Sequence, residues 1–105
     1  MMTDSDFLRH LQATDKIEYG LFGCSPYWKI KNTGLCLHEK QRLVHEPNYC
    51  SSESQWLLGT YRYNIILKQT NFGDPLEEFW NGLDFAALEE EGKKQDEWFS
   101  DTPDF

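Results

Sequence analysis

A chain of 105 residues is long enough for one hydrophobic core and too short for two. Its sixteen aromatics, seven Phe, five Tyr and four Trp, supply enough apolar area to argue against disorder throughout. The net charge of −8 repels nucleic acid and anionic membrane at long range, so only a local basic face would hold either. No apolar run approaches the roughly 20 residues of a membrane span, and the acidic start Met1-Met2-Thr3-Asp4 lacks the basic lead of a signal peptide. Three irregularly spaced cysteines, Cys24, Cys36 and Cys50, suit free thiols in a reducing setting, so a soluble cytoplasmic protein is expected.

Thr3 or Asp4 is placed to cap a short helix running to about Ala13, with Phe7, Leu8 and Leu11 at helical spacing. Ile17 to Leu21 alternates as a strand, and Gly23-Cys24-Ser25-Pro26 breaks it. A hairpin follows, Tyr27 to Lys31 and Leu35 to His38 around Asn32-Thr33-Gly34, with the glycine expected at positive φ. Its second arm is expected to run to about Val44 before Pro47 stops it, leaving residues 46 to 55, rich in turn formers, as a surface loop. Thr60 to Lys68 alternates again, with Tyr61, Tyr63, Ile65 and Leu67 on one face, and predicts a half-buried strand. Asp74 and Pro75 begin a helix whose stripe Leu76, Phe79, Trp80, Leu83 and Ala87 would lie on the sheet, with Gly92 as its end. The fold class read from these elements is α+β: an antiparallel sheet of about four strands packed by a C-terminal amphipathic helix, with a domain over 1–92 and an acidic aromatic tail over 93–105.

Charge is distributed very unevenly along this plan. From Asn71 onward eleven carboxylates face two lysines, whereas the first 70 residues hold seven acids and eight bases. Such asymmetry marks a region built to meet a basic partner, or a solvated tail. In the last stretch Trp98, Phe99 and Phe105 stand among Asp96, Glu97, Asp101 and Asp104, pairing apolar anchors with a charge that steers them onto a basic groove. The final residues, Ser100-Asp101-Thr102-Pro103-Asp104-Phe105, resemble the acidic tails of bacterial and phage single-stranded DNA-binding proteins, which end in an aromatic read by a basic pocket of partner proteins. The resemblance covers about ten residues and departs from that pattern in setting Asp104 between Pro103 and Phe105. It implies recruitment of a partner protein by the tail.

Other constellations are weaker. Rings and cations interleave at Trp28, Lys29, Lys31, Tyr61, Arg62 and Tyr63, a mixture that single-strand binding uses for stacking and phosphate contact. The same alternation also forecasts rings in the core beneath a lysine-covered face. Cys24, Cys36, His38, His45 and Cys50 carry zinc-type donors without a Cys-x-x-Cys pair, so no metal and no cofactor are assigned. Cys24 has no fixed base among His10, His38 and His45, Glu89-Glu90-Glu91 reads as a solvated helix end, and Gly20-Leu21-Phe22-Gly23 lacks the lysine and spacing of a phosphate loop.

The expectation is therefore a non-enzymatic inhibitor that occupies a basic site on a nucleic-acid-handling protein. Phage counter-defence and toxin-neutralising immunity proteins share its size and acidity. Its contact residues would be Glu89, Glu90, Glu91, Asp96, Glu97, Trp98, Phe99, Asp101, Asp104 and Phe105. A single-strand-binding module with a recruiting tail, and a small subunit of a larger assembly, are the alternatives.

Overall fold

The computed structural model describes residues 2–23 and 25–101, the last three of these by backbone alone. It is an α+β fold in which helix α1 (Asp4–Ala13) precedes five strands, β1 (Ile17–Phe22), β2 (Ser25–Ile30), β3 (Leu35–Glu46), β4 (Tyr49–Thr60) and β5 (Ile66–Gln69). Helices α2 (Leu76–Asn81) and α3 (Phe85–Asp101) follow. The strands form one antiparallel meander in sequence order. The sheet thus has five strands where about four were expected.

Pleat alternation decides the two faces of this sheet. Trp28 and Ile30 of β2, Leu35 and Leu37 of β3, and Trp56 and Leu58 of β4 point to one side and are buried with Ile17. Phe7 and Leu11 of α1, Leu76 and Trp80 of α2 and Leu88 of α3 complete that core. All three helices therefore cover a single face.

Local chemistry explains where the elements stop. Thr3 caps α1 by accepting from the Asp6 amide at 3.2 Å, and the chain leaves the helix through Asp15 at φ 61°. The expected hairpin between β2 and β3 forms, yet the residue at positive φ is Asn32, at 63°, and not Gly34. Asparagine tolerates that conformation and frees the glycine from it.

The strand expected after Gly59 is displaced. β3 and β4 pair along twelve residues each, from Leu35 opposite Thr60 to Glu46 opposite Tyr49, around a two-residue Pro47-Asn48 turn. Pro47 does end its strand, but residues 49 to 55 form the next strand instead of a loop. Much of this outer ribbon is solvent-exposed, so Ser51, Ser52 and Glu53 pair through their backbones with no apolar alternation to announce them. Where the sequence alternates, at Tyr61 to Asn64, the chain turns: Thr60 N–H donates to the Ile65 carbonyl at 2.9 Å, Ile65 N–H donates to the Thr60 hydroxyl at 3.1 Å, and Asn64 takes φ 53°. Strand pairing resumes only at Ile66.

The helix expected from Pro75 to Gly92 is two helices that pass Gly92. Asp74 does not cap the first; its carboxylate accepts from the Asn71 amide, and the Leu76 amide donates instead to Asp4 Oδ1 at 3.0 Å. α2 stops at Gly82, and Asp84 starts α3 by accepting from the Ala87 amide at 3.2 Å. That break shifts the helical phase, which leaves Ala87 exposed and buries Leu88. Gly92 sits inside α3 because a β-carbon there would lie 3.2 Å from Thr60 Cγ2 and 3.6 Å from Leu35 Cδ2. Its poor helix propensity, about 1 kcal/mol against alanine, accompanies a close approach of the helix to the sheet.

Two stability predictions follow from these contacts. Asp4→Ala removes the acceptor of both the Leu76 amide and the Trp56 indole N–H and is expected to lower unfolding free energy by roughly 2–3 kcal/mol, measured by urea titration, with Asp4→Asn losing less. At Gly59 a β-carbon would lie 2.5 Å from the Ile65 carbonyl oxygen, whereas at Gly34 nothing lies within 4 Å. Gly59→Ala is expected to cost about 2 kcal/mol or more and Gly34→Ala about 0.5 kcal/mol or less in the same assay.

Candidate functional site

Two regions hold the residues singled out by sequence, and they lie on opposite sides of the molecule. The first is α3. Glu90, Glu91, Glu97 and Trp98 are exposed on it, Trp98 at 65%. Glu89 is half-buried and lies 3.9 Å from Lys93, and Glu91 accepts from the Gln95 side chain at 3.2 Å. Asp96 turns partly inward, with its Oδ1 shielded and without a donor among the described residues. Phe99 and Asp101 belong to the helix, but their side chains, like the whole of Asp104 and Phe105, lie outside the described residues.

The second region is the sheet face that the helices leave uncovered. β2 presents Tyr27 and Lys29 there, opposite His38 and Cys36 of β3. The turn after β4 brings Tyr61, Arg62 and Tyr63 over the same face, tied by the Tyr61 amide donating to the Gly34 carbonyl at 2.8 Å. The ring centroids of Tyr27 and Tyr61 are 5.9 Å apart and those of Tyr27 and His38 are 6.1 Å apart. Lys29 Nζ lies 5.1 Å from the centre of the Tyr61 ring, and the Arg62 guanidinium 5.2 Å from that of Tyr63. Phe22, 82% exposed at the end of β1, borders with Tyr27, His38, Tyr61, Arg62 and Tyr63 an open groove of about 850 Å³.

Packing sets the chemistry of the groove floor. Gly20 leaves room for the Tyr27 ring, whose hydroxyl would lie 2.6 Å from a β-carbon at that position. The Tyr27 phenol is raised above its ordinary range, first by its hydrogen bond with Tyr61 and then by burial. Burial pushes the Cys36 thiol up to about 11, although the Trp28 backbone and Lys29 both act in the opposite direction. The His38 imidazole is lowered by burial. Cys36 is thus held as a neutral thiol at pH 7, which suits a packing role and not a nucleophile.

The platform read from sequence is brought together in part. Tyr61, Arg62 and Tyr63 meet in the groove, with Lys29 beside it over the Tyr61 ring. Trp28 does not join them: it is 6% exposed on the core side, with its ring centroid 5.9 Å from those of both Trp56 and Tyr19. Lys31 is drawn to the opposite end of β2 by its ion pair with Asp15. Tyr27, His38 and Phe22 are groove residues that the sequence reading missed. The parity of β2 carries the signal for one of them, since burying Trp28 and Ile30 forces Tyr27 outward beside Lys29.

The zinc-type residues separate. Cys36 and His38 share the groove floor, while His45 and Cys50 pair near the far end of the β3–β4 hairpin. Cys24 lies outside the described residues, and among those described no group of three or more His, Cys, Asp or Glu is arranged to hold a metal. Among the described residues no helix is long and apolar enough to cross a membrane. Comparisons of this chain with protein-family models, with curated proteins and with solved structures find no match.

The Cys36 thiol makes a pH prediction with a definite sign. Its folded value, about 11, is above its ordinary 9.0, so above pH 9 the unfolded chain loses this proton before the folded chain does and stability falls as pH rises through that window. Relative to Cys36→Ala, the native chain is expected to lose roughly 2 kcal/mol between pH 9 and about 11, read from denaturant titrations of both proteins.

Proposed function

We propose that this chain is a non-enzymatic binding protein, a small acidic inhibitor that occupies the basic, nucleic-acid-binding site of a partner protein. The observation that supports this reading most directly is the outward placement of Glu90, Glu91 and Glu97 along α3, with exposed Trp98 beside them. Glu90 and Glu97 are two helical turns apart, about 10 Å along the axis. Carboxylates held on a rigid helix offer negative charge at a fixed spacing, as a phosphate backbone does, and steer association with a basic groove. Trp98 supplies the kind of ring that anchors an interface once water is excluded. Lys93 and Lys94 interrupt the acidic run, which favours a partner recognised by pattern over one held by bulk charge.

The sequence asymmetry acquires a spatial form that supports the same reading. Carboxylates after Asn71 belong to the helical layer and its connections, with Asp74, Glu78 and Asp84 exposed there besides those of α3. An acidic helical side and a less acidic sheet side make the molecule electrically two-faced, and the helical side would lead the approach to a cationic surface. In this reading Phe99, Asp101, Asp104 and Phe105 extend the contact. Inhibitors of the immunity or counter-defence kind work by such occupation and need no reaction of their own.

The partner is to be isolated by affinity capture from a native lysate and its affinity then measured by calorimetry. Glu90→Lys with Glu97→Lys is expected to weaken the complex by about tenfold or more, as is raised salt. Unchanged affinity in that double variant would sink the assignment of α3.

A further inference from the structure

The uncovered sheet face differs in kind from the helical side. In a chain of net charge −8, the groove between β2, β3 and the turn after β4 is bordered by Tyr27, Tyr61, Tyr63, His38 and Arg62, and none of its described lining residues is a carboxylate. Lys29 stands beside it, with Glu18 of β1 as its cross-strand partner. Its volume of about 850 Å³ is within the usual range for ligand sites, which is roughly 300–1,000 Å³.

We infer that this groove binds a short segment of single-stranded nucleic acid, its bases stacking on Tyr27, Tyr61 and Tyr63 and its phosphates meeting Arg62 and Lys29. Two features favour a strand over other occupants. Several rings border the groove, Tyr27 and Tyr61 in a tilted pair 5.9 Å apart at 53° and Tyr63 next to them. Exposed ring surface of this kind takes a base of any identity, because every base has a flat face. Both cations already lie over tyrosine rings, which holds their charge next to the stacking surface, where a backbone phosphate follows its base. A duplex hides its base faces and brings twice the charge density, so it would be repelled by the acidic layer without gaining the stacking term.

Local attraction here opposes long-range repulsion. The helical layer carries most of the acids and lies on the other side of the sheet, since α3 packs on Leu35, Thr60 and Leu67 while the groove lies over Cys36 and His38. Two phosphate contacts imply a shallow salt dependence, a log–log slope of roughly −1.4. The proposal does not depend on the inhibitor reading, because it uses none of the α3 residues.

Fluorescence anisotropy with a labelled thymidine oligomer of about eight nucleotides and the full chain tests it, with a uridine oligomer and a thymidine–adenine duplex of the same length as further arms. Saturable binding of the single strand at low salt is expected, weaker for the duplex. Tyr61→Ala and Arg62→Ala should each weaken it by about tenfold, whereas Tyr61→Phe, which keeps the ring, and Arg9→Ala, which removes an exposed cation of α1 on the other face, should not weaken it. The thymidine and uridine arms decide between DNA and RNA. No binding at low salt, duplex bound as tightly as single strand, or affinity unmoved by Tyr61→Ala and Arg62→Ala would overturn the assignment. Both substitutions are at exposed positions, and matching circular dichroism and unfolding midpoints establish that any loss is local.

Discussion

One carboxylate ties the helical layer to the sheet. Asp4 Oδ2 accepts from the indole N–H of Trp56, and its Oδ1 accepts from the Leu76 amide, both at 3.0 Å. Trp56 lies at the centre of the core, so its N–H would be costly to leave without a partner. α2 is six residues long and is preceded by Pro75, which makes no side-chain cap; a helix that short has little stability of its own. A side chain from the opposite end of the chain meets both needs. With α1 and α2 joined there, Phe7 packs edge-on to Trp80 with ring centroids 6.3 Å apart, and the layer closes over Leu37 and Leu58. The polar tie orients the helices, while the apolar burial around it supplies the larger share of the stabilisation.

From that constraint comes the two-faced character of the molecule. Because all the helices lie on one side, the carboxylates they carry lie there too, and the reverse of the sheet holds rings and cations with fewer acids, Glu18 opposite Lys29 and Glu53 opposite Arg42. Gly92 lets α3 approach Thr60 and Leu35, and Gly59 lets the turn after β4 fold tightly against Ile65. The first glycine fixes how the acidic helix lies; the second fixes where Tyr61, Arg62 and Tyr63 are presented. Separate small residues thus position the two candidate binding surfaces. The β3–β4 ribbon is steadied at its base by Arg42, which donates to Glu53 at 2.8 and 3.0 Å and lies 4.4 Å from the centre of the Phe72 ring.

Some of this was legible in the residues and some was not, for reasons particular to each element. The β2–β3 hairpin was readable because its turn residues and its alternation agree. β4 was hidden because an exposed ribbon needs no apolar period, and Ser51-Ser52-Glu53-Ser54 looks like loop to any rule built on burial. Tyr61 to Asn64 misled in the opposite direction: its alternation is real, but the Thr60 hydrogen bonds close it into a turn. Gly92 read as a helix end because glycine usually is one, and only the nearness of Thr60 Cγ2 reveals its other use.

What the sequence determined by itself is composition and order: an α+β plan, an acidic last third and the hairpin of β2 and β3, all consequences of local propensity and charge. What tertiary structure alone decided is which side chains share a face. Trp28 and Lys29 are neighbours in sequence and lie on opposite sides of the sheet; Asp4, Trp56 and Leu76 are far apart in sequence and meet at one carboxylate. Pleat parity can be counted once a strand is known, but a contact across 52 or 72 residues depends on how the layers close, and no local pattern encodes it.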